Sequence, residues 1–248
     1  MQSKSSSDFI YGTRAIIEAI ESGKEVDKLF VQKDVKNELS SELLKLCRDL
    51  SIPVQRVPIE KLNRITRKNH QGAIAYISSV VFASLENLIS EAYQKGETPF
   101  FIMLDRITDV RNFGAIARTA ECAGVHGIIV PSRGAAQIGS DAMKTSAGAL
   151  NHMPVCRAEN LKLTINNLRE NGIQVIACSE KATDTIYQMD FSVPVVLLMG
   201  SEEDGISAEY LKLCDDQAKL PITGKIQSLN VSVATGIITY EVVRQRSK

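Results

Sequence analysis

The sequence predicts an α/β protein: a small α/β domain, then a larger one built on a mainly parallel sheet. Three observations predict it. Strand-length apolar runs alternate with helix-length stretches along the whole chain. Four of those runs, Phe100 to Leu104, Gly127 to Val130, Ile173 to Cys178 and Val193 to Met199, are apolar save for Gln174, which suits parallel strands buried on both faces. The 248 residues are 44% hydrophobic and 23% charged, the composition of a soluble globular chain with enough length for a real core.

Each element follows from local pattern. Ala15 to Ile20 reads as a helix and Lys28 to Val31 as extended. Glu38 to Leu50 reads as a helix with Leu39, Leu43, Leu46 and Leu50 along one side. Pro53 ends it, Val54 to Val57 reads as a strand, and the β-branched run Gly72 to Val81 as a buried strand. Ser84 opens a helix running to Tyr93, after which Gly96 and Pro99 break the chain. The pattern changes there, so the domains are set at residues 1–80 and 99–248, with 81–98 as linker. Beyond it, helices are expected over Gly114 to Ala123, Leu161 to Glu170 and Ala208 to Cys214, and a last one from Asn230 to Arg244.

Composition excludes several function classes. Lys and Arg number 29 and Asp and Glu 29, so a tail-driven polyanion binder is excluded while a local basic site is not. No run approaches the ~18 apolar residues of a membrane span. The start, MQSKSSSDF, lacks the apolar core of a secretory signal. Five widely spaced cysteines without a CxxC argue against zinc and disulfide frameworks, and reduced thiols fit a cytoplasmic protein. GxG, Walker and GxSxG signals are absent, and His70, His126 and His152 are too scattered to suggest a metal site.

Ligands of such domains sit at the carboxyl ends of strands. Three polar segments fall there. In Leu104 to Arg118, a strand gives way to a loop and a small, Ala-rich helix; Asn112 can cap that helix, Gly114 allows close backbone approach, and Arg118 falls in its second turn. In Leu197 to Gly205, a buried strand runs into Gly200, Ser201 and the acids Glu202 to Asp204, which suit ribose hydroxyls, a cation, or simply a helix start. In Leu220 to Gly236, Ser228, Asn230, Ser232 and Thr235 exceed what one helix cap needs. The first domain adds a basic stretch. Lys61, Arg64, Arg67, Lys68 and His70 crowd into ten positions, and no acid lies between Glu60 and Glu86. Such a patch can hold RNA phosphates or be a solvated helix face.

Taken together, Asn112-x-Gly-x-x-x-Arg118, Gly200-Ser-Glu202-x-x-Gly205 and Leu220-Pro-Ile…Ser228-Leu-Asn-Val-Ser-Val-Ala resemble, in order and separation, the three motifs of the SpoU (TrmH) family of RNA ribose 2′-O-methyltransferases. The resemblance covers the chain from about Pro99 to Arg246. The first domain, from Tyr11-Gly12 to His70-Gln71-Gly72, resembles that family's substrate-binding domain, itself similar to RNA-binding ribosomal proteins. Within the family, the chain is most similar to the bacterial branch that methylates a guanosine ribose in large-subunit (23S) rRNA. The departure is Glu203-Asp204, where relatives often carry Gly and a small or basic residue.

The resemblance implies a SPOUT domain with a C-terminal trefoil knot, a fold that topology rules would never suggest. It implies S-adenosylmethionine as methyl donor, RNA (rRNA or tRNA) as substrate, and a homodimer with the site at the subunit interface. By position it implies that Met199, Gly200, Leu220, Ile222, Ser228 and Leu229 hold the cofactor. Asn112, Arg118, Glu202, Ser228 and Asn230 match catalytic or substrate-positioning residues. The family mechanism makes the Arg118 position a general base. A guanidinium of pKa above ~12 stays protonated, so a phosphate clamp and oxyanion stabiliser is the competing role. A non-catalytic ribosome-assembly protein and an unrelated nucleotide-dependent enzyme are the alternatives. The first has no need of the five polar residues, and the second lacks its motifs.

Overall fold

The computed structural model describes residues 9–35, 37–226 and 228–247. The chain divides into two compact units, one reaching Val81 and including Gln137–Ser140, the other formed by Phe82–Ala136 and the chain from Asp141 onward.

The first unit contains β1 (Phe9–Tyr11), α1 (Thr13–Glu21), β2 (Val26–Gln32), α2 (Glu38–Asp49), β3 (Val54–Val57), α3 (Ile59–Ile65) and β4 (Ala73–Ile77). Its sheet runs β1-β4-β2-β3, with β4 antiparallel to both neighbours and β2 parallel to β3. Strand alternation sends Leu29, Val31, Ala73 and Ala75 to one face, against Ile16, Ile17 and Ile20 of α1 and Leu43 and Cys47 of α2. The buried stripe of α2 is Ser40, Leu43 and Cys47, while Leu39 and Leu50 are exposed. Of the expected face, Leu43 is buried and Leu46 packs on the same core, while its two ends turn outward.

The second unit contains β5 (Phe82–Ala83), α4 (Leu85–Gln94), β6 (Phe100–Leu104), α5 (Val110–Cys122), β7 (Gly127–Pro131), α6 (Ser140–Thr145), β8 (Val155–Ala158), α7 (Leu161–Glu170), β9 (Gln174–Cys178), β10 (Asp184–Thr185), β11 (Val195–Met199), α8 (Ala208–Leu211), β12 (Asp216–Lys219) and α9 (Val231–Arg246). The sheet order is β10-β12-β9-β11-β6-β7-β8-β5, and every pairing between these strands is parallel. All residues of β6 and β11, at the centre, are buried, as their unbroken apolar character requires.

Four differences from the sequence reading have physical causes. Residues 81–98, expected as a linker that carries a helix from Ser84 to Tyr93, belong from Phe82 onward to the second unit as β5 and α4, because Leu85 and Ile89 bury in that unit's core. Asp109, not Asn112, caps α5, accepting from the backbone N–H of Arg111 and Asn112. The helix starts earlier as a result, and Arg118 falls in its third turn. β12, Asp-Gln-Ala-Lys, buries only Ala218 and has no apolar run to betray it. Glu202 to Asp204 lie in a tight turn, not at a helix start.

Candidate active site

The carboxyl ends of β9, β11 and β12 open on one edge of the parallel sheet, where a cavity of about 390 Å³ lies. Its wall includes Met199, Gly200, Leu220, Ile222, Ser228 and Leu229, all six residues expected to hold a cofactor. The start of α9 closes one side with Val231, Ala234 and Ile238. The chain after β9, Cys178 to Lys181, adds a wall that the sequence reading missed. Its only signal was its place at a strand's carboxyl end.

The turn after β11 is closed on itself. Ser201 N–H donates to the Gly205 carbonyl at 3.2 Å, and Gly205 N–H returns to Ser201 at 2.9 Å. A Cβ on Gly200 would lie 2.2 Å from the Gly205 carbonyl carbon, so only glycine fits. The turn is braced from β6. Asp105, 2% exposed, accepts from Ser207 N–H and Oγ, both at 2.8 Å, and from its neighbour Arg106. Arg106 reaches across, donating to Asp204 at 2.9 Å and to the Gly205 carbonyl at 3.1 Å. It does so from a left-handed backbone, φ 58°. Neither Asp105 nor Arg106 was singled out in the sequence, although Asp-Arg at a strand end was the signal.

The motif residues meet at the mouth. Asn230 caps α9, its Oδ1 accepting from Ser232 and Val233 N–H, while its Nδ2 donates to Glu202 Oε1 at 2.7 Å and to Asn112 Oδ1 at 2.9 Å. Glu202 Oε1 also accepts from Val231 N–H at 3.4 Å. One carboxamide therefore ties α5, the β11 turn and α9 together. Gly114 lets α5 pack closely on the end of α6, since a Cβ there would meet Thr145 Oγ1 at 2.0 Å. Ser228 lies on the cavity wall. Arg118 is not drawn into the cluster: it is exposed and makes no hydrogen bond or ion pair among the described residues.

The basic stretch divides. Lys61 and Arg64 lie on α3, Arg67 and Lys68 follow it, and all four are exposed. His70, expected beside them on an RNA face, is buried instead. Its Nδ1 accepts from Gly72 N–H at 3.1 Å and its Nε2 bonds Asn63 Oδ1 at 3.0 Å, so the ring holds the turn into β4.

A parallel sheet with a polar cavity at its carboxyl edge defines the class: an α/β enzyme with a small-molecule site built from strand-end loops. Residues 99–240 match the SpoU rRNA methylase family, and residues 9–81 match a family described as RNA 2′-O ribose methyltransferase substrate binding. YacO of Bacillus subtilis, assigned to the TrmH family of tRNA/rRNA methyltransferases, is 36% identical over 240 residues, 97% of this chain and 96% of that one. A Staphylococcus saprophyticus protein assigned to the same family is 34% identical over 238 residues, 96% of each chain. Among solved structures, the SpoU methyltransferase AviRb from Streptomyces viridochromogenes in complex with AdoMet superposes with a TM-score of 0.60 at 26% identity, over 96% of this chain and 90% of that one. An AdoMet-bound rRNA methyltransferase from Sinorhizobium meliloti gives 0.60 at 27%, over 95% and 86%. The chain belongs to the SpoU family and is an RNA methyltransferase.

Proposed function

We propose that this protein transfers a methyl group from S-adenosylmethionine to a ribose 2′-hydroxyl of RNA, a guanosine of large-subunit rRNA being the target. The observation that carries this reading is the Asn112–Asn230–Glu202 cluster at the mouth of the strand-end cavity. The cavity suits the donor. Glu180, Glu202, Glu203 and Asp204, against Lys181 and Lys219, favour a cationic ligand, and Met199, Ile222 and Ile238 offer apolar contact to its uncharged parts. Both named AdoMet-bound relatives share the fold over nearly the whole chain.

Bound S-adenosylmethionine would supply an electrophilic methyl group and leave as a neutral thioether, its S–CH3 bond breaking as the O–CH3 bond forms, with the 2′-hydroxyl proton passing to solvent water. The residues of this chain supply alignment, which can account for about 7–11 kcal/mol of such a barrier. Gly200, Leu220 and Leu229 hold the cofactor mainly through backbone groups, with Met199, Ile222 and Ser228 beside them. Glu202 fixes Asn230, and Asn230 with Asn112 and Ser228 positions the ribose. Arg118, with its planar guanidinium, clamps a substrate phosphate and stabilises charge on the attacking oxygen. The exposed apolar face of α9, Val233, Ile237 and Tyr240, fits a homodimer in which a second copy completes the site. A C-terminal trefoil knot and a cytoplasmic location belong to the same reading. Among the described residues no helix is long and apolar enough to cross a membrane. Lys61, Arg64, Arg67 and Lys68 dock RNA, with His70 shaping the turn behind them.

The test is methyl transfer from labelled S-adenosylmethionine to total RNA of a strain lacking the gene, mapped by 2′-O-methyl-sensitive cleavage. Label at one large-subunit guanosine ribose is expected. Label confined to tRNA overturns the target, and no label on naked RNA or immature ribosomal particles overturns the activity. Arg118→Ala is expected to lose single-turnover transfer while keeping cofactor affinity.

A further inference from the structure

We propose that the half-exposed aromatic rim beside α3, on the face of the first unit's sheet opposite α1 and α2, is a stacking platform for unpaired bases of the RNA, with Phe9, Tyr11 and Tyr76 as the rings and Lys28, Lys61 and Lys68 as phosphate partners. This rests on the reading of the chain as an RNA methyltransferase. Register places the side chains. Phe9 pairs with Tyr76, and Tyr76 with Lys28, making one row across three strands. Tyr11 pairs with Ile74, and Ile74 with Phe30, making the next. The intervening residues, Ile10, Ala75 and Leu29, face the core under α1 and α2. The aromatic face thus looks away from that core and packs on a second cluster, Phe30, Ile74, Val57 and Leu62 of α3, against whose rim Phe9, Tyr11 and Tyr76 lie half-buried.

The rings are tilted against one another, at 51°, 56° and 78° with centroids 5.6–6.4 Å apart, so no ring covers another's face. Lysines hang over them. The ammonium of Lys28 is 5.2 Å from the Tyr76 centroid, that of Lys61 4.6 Å from Phe30, and that of Lys68 5.6 Å from Tyr11. Among the described residues none of the three pairs with a carboxylate. Half-buried rings beneath unpaired cations match a single-stranded nucleic acid, whose bases take the rings and whose phosphates take the ammoniums. A duplex keeps its bases stacked inside and offers the face only its phosphates.

The test compares the full chain with Tyr11→Leu/Tyr76→Leu and Tyr11→Phe/Tyr76→Phe double variants. Binding of a fluorescein-labelled single-stranded RNA of mixed sequence, and of its duplex, is read by anisotropy. Wild type is expected to prefer the single strand. The Phe pair is expected to match it, and the Leu pair to lose affinity by about 5-fold to 150-fold for each base–aromatic stack removed. The Leu pair should also raise KM for RNA without changing S-adenosylmethionine affinity. A Leu pair that melts like wild type and binds single strands equally well overturns the platform. Should the Leu pair not fold, ultraviolet cross-linking of wild type to the same strand decides: adducts on residues 9–11 or 74–76 support it, and adducts only elsewhere overturn it. Ring-dependent RNA binding by a wild type that transfers no methyl supports the platform and sinks the enzymatic reading. Active wild type with an unchanged Leu pair does the reverse.

Discussion

Arg106→Ala removes the brace between β6 and the turn that carries Glu202. The guanidinium joins buried Asp105 to Asp204 and to the Gly205 carbonyl. A hydrogen bond to a charged group is worth about 1.5–3 kcal/mol when partly buried, whereas a pair as exposed as Arg106–Asp204 adds at most about 1 kcal/mol. Asp105 keeps its two Ser207 bonds and so is not stranded. The expected loss is about 2–3 kcal/mol. At about 2–4 °C per kcal/mol for a domain of this size, the second unit's melting temperature falls by about 4–12 °C. Arg106→Gly loses the same bonds but releases the left-handed backbone, which costs a non-glycine residue about 1–2 kcal/mol. It should therefore sit between Arg106→Ala and wild type. Calorimetry gives the melting order, and titration with S-adenosylmethionine gives the affinity, expected to fall about tenfold, or 1.4 kcal/mol, as the turn loosens. An Ala variant that melts and binds like wild type refutes the brace. Ala and Gly variants of equal stability refute the strain.

Gly200→Ala puts a carbon 2.2–2.5 Å from the Gly205–Ile206 backbone and must open the Ser201–Gly205 turn; the protein should fold yet lose more than tenfold in cofactor affinity by calorimetric titration, about 1.4 kcal/mol or more. Arg246 donates to the carbonyls of Thr98, Pro99, Phe191 and Val193, tying α9 to the chain entering β6 and β11. Arg246→Met should cost about 2–4 kcal/mol in denaturant unfolding, with Arg246→Lys intermediate because an ammonium lacks the planar fork. Burial pushes the thiols up, Cys47 to about 11 and Cys156, Cys178 and Cys214 each to about 12, while Cys122 is exposed. A folded chain at pH 8 should thus react rapidly with a thiol reagent at Cys122, slowly at half-buried Cys178 and Cys214, and at Cys47 and Cys156 only on unfolding; fast labelling of Cys47 or Cys156 would contradict the burial.

Much of the second unit was legible. Phe100–Leu104 is both the predicted and the observed strand, and the runs ending at Cys178 and Met199 begin only one and two residues before their strands. An unbroken apolar run of that length has few places to go but a buried parallel strand. β12 and β8 escaped because a short strand with polar members carries no periodic signal. Asp109 was overlooked as a cap because Asn112 satisfied the same local rule three residues later. The basic stretch misled at His70, since a charge pattern cannot distinguish a ring aimed at solvent from one folded back on its own turn.

By itself, the sequence determined the class of fold, through the period and continuity of its apolar residues. It also determined the family, through three motifs whose glycines and carboxamides occur in a fixed order. Only the tertiary structure decided which motif residues touch. Asn112, Glu202 and Asn230 are up to 118 positions apart, and parallel pairing of β6 with β11 brings their loops to one edge. The aromatic face of the first unit was equally beyond reading, because Phe9, Tyr11, Phe30 and Tyr76 become neighbours only through the strand order β1-β4-β2. Local pattern records which face of an element is apolar. Which elements then lie side by side is set by burial summed over the whole chain, and no local window contains that sum.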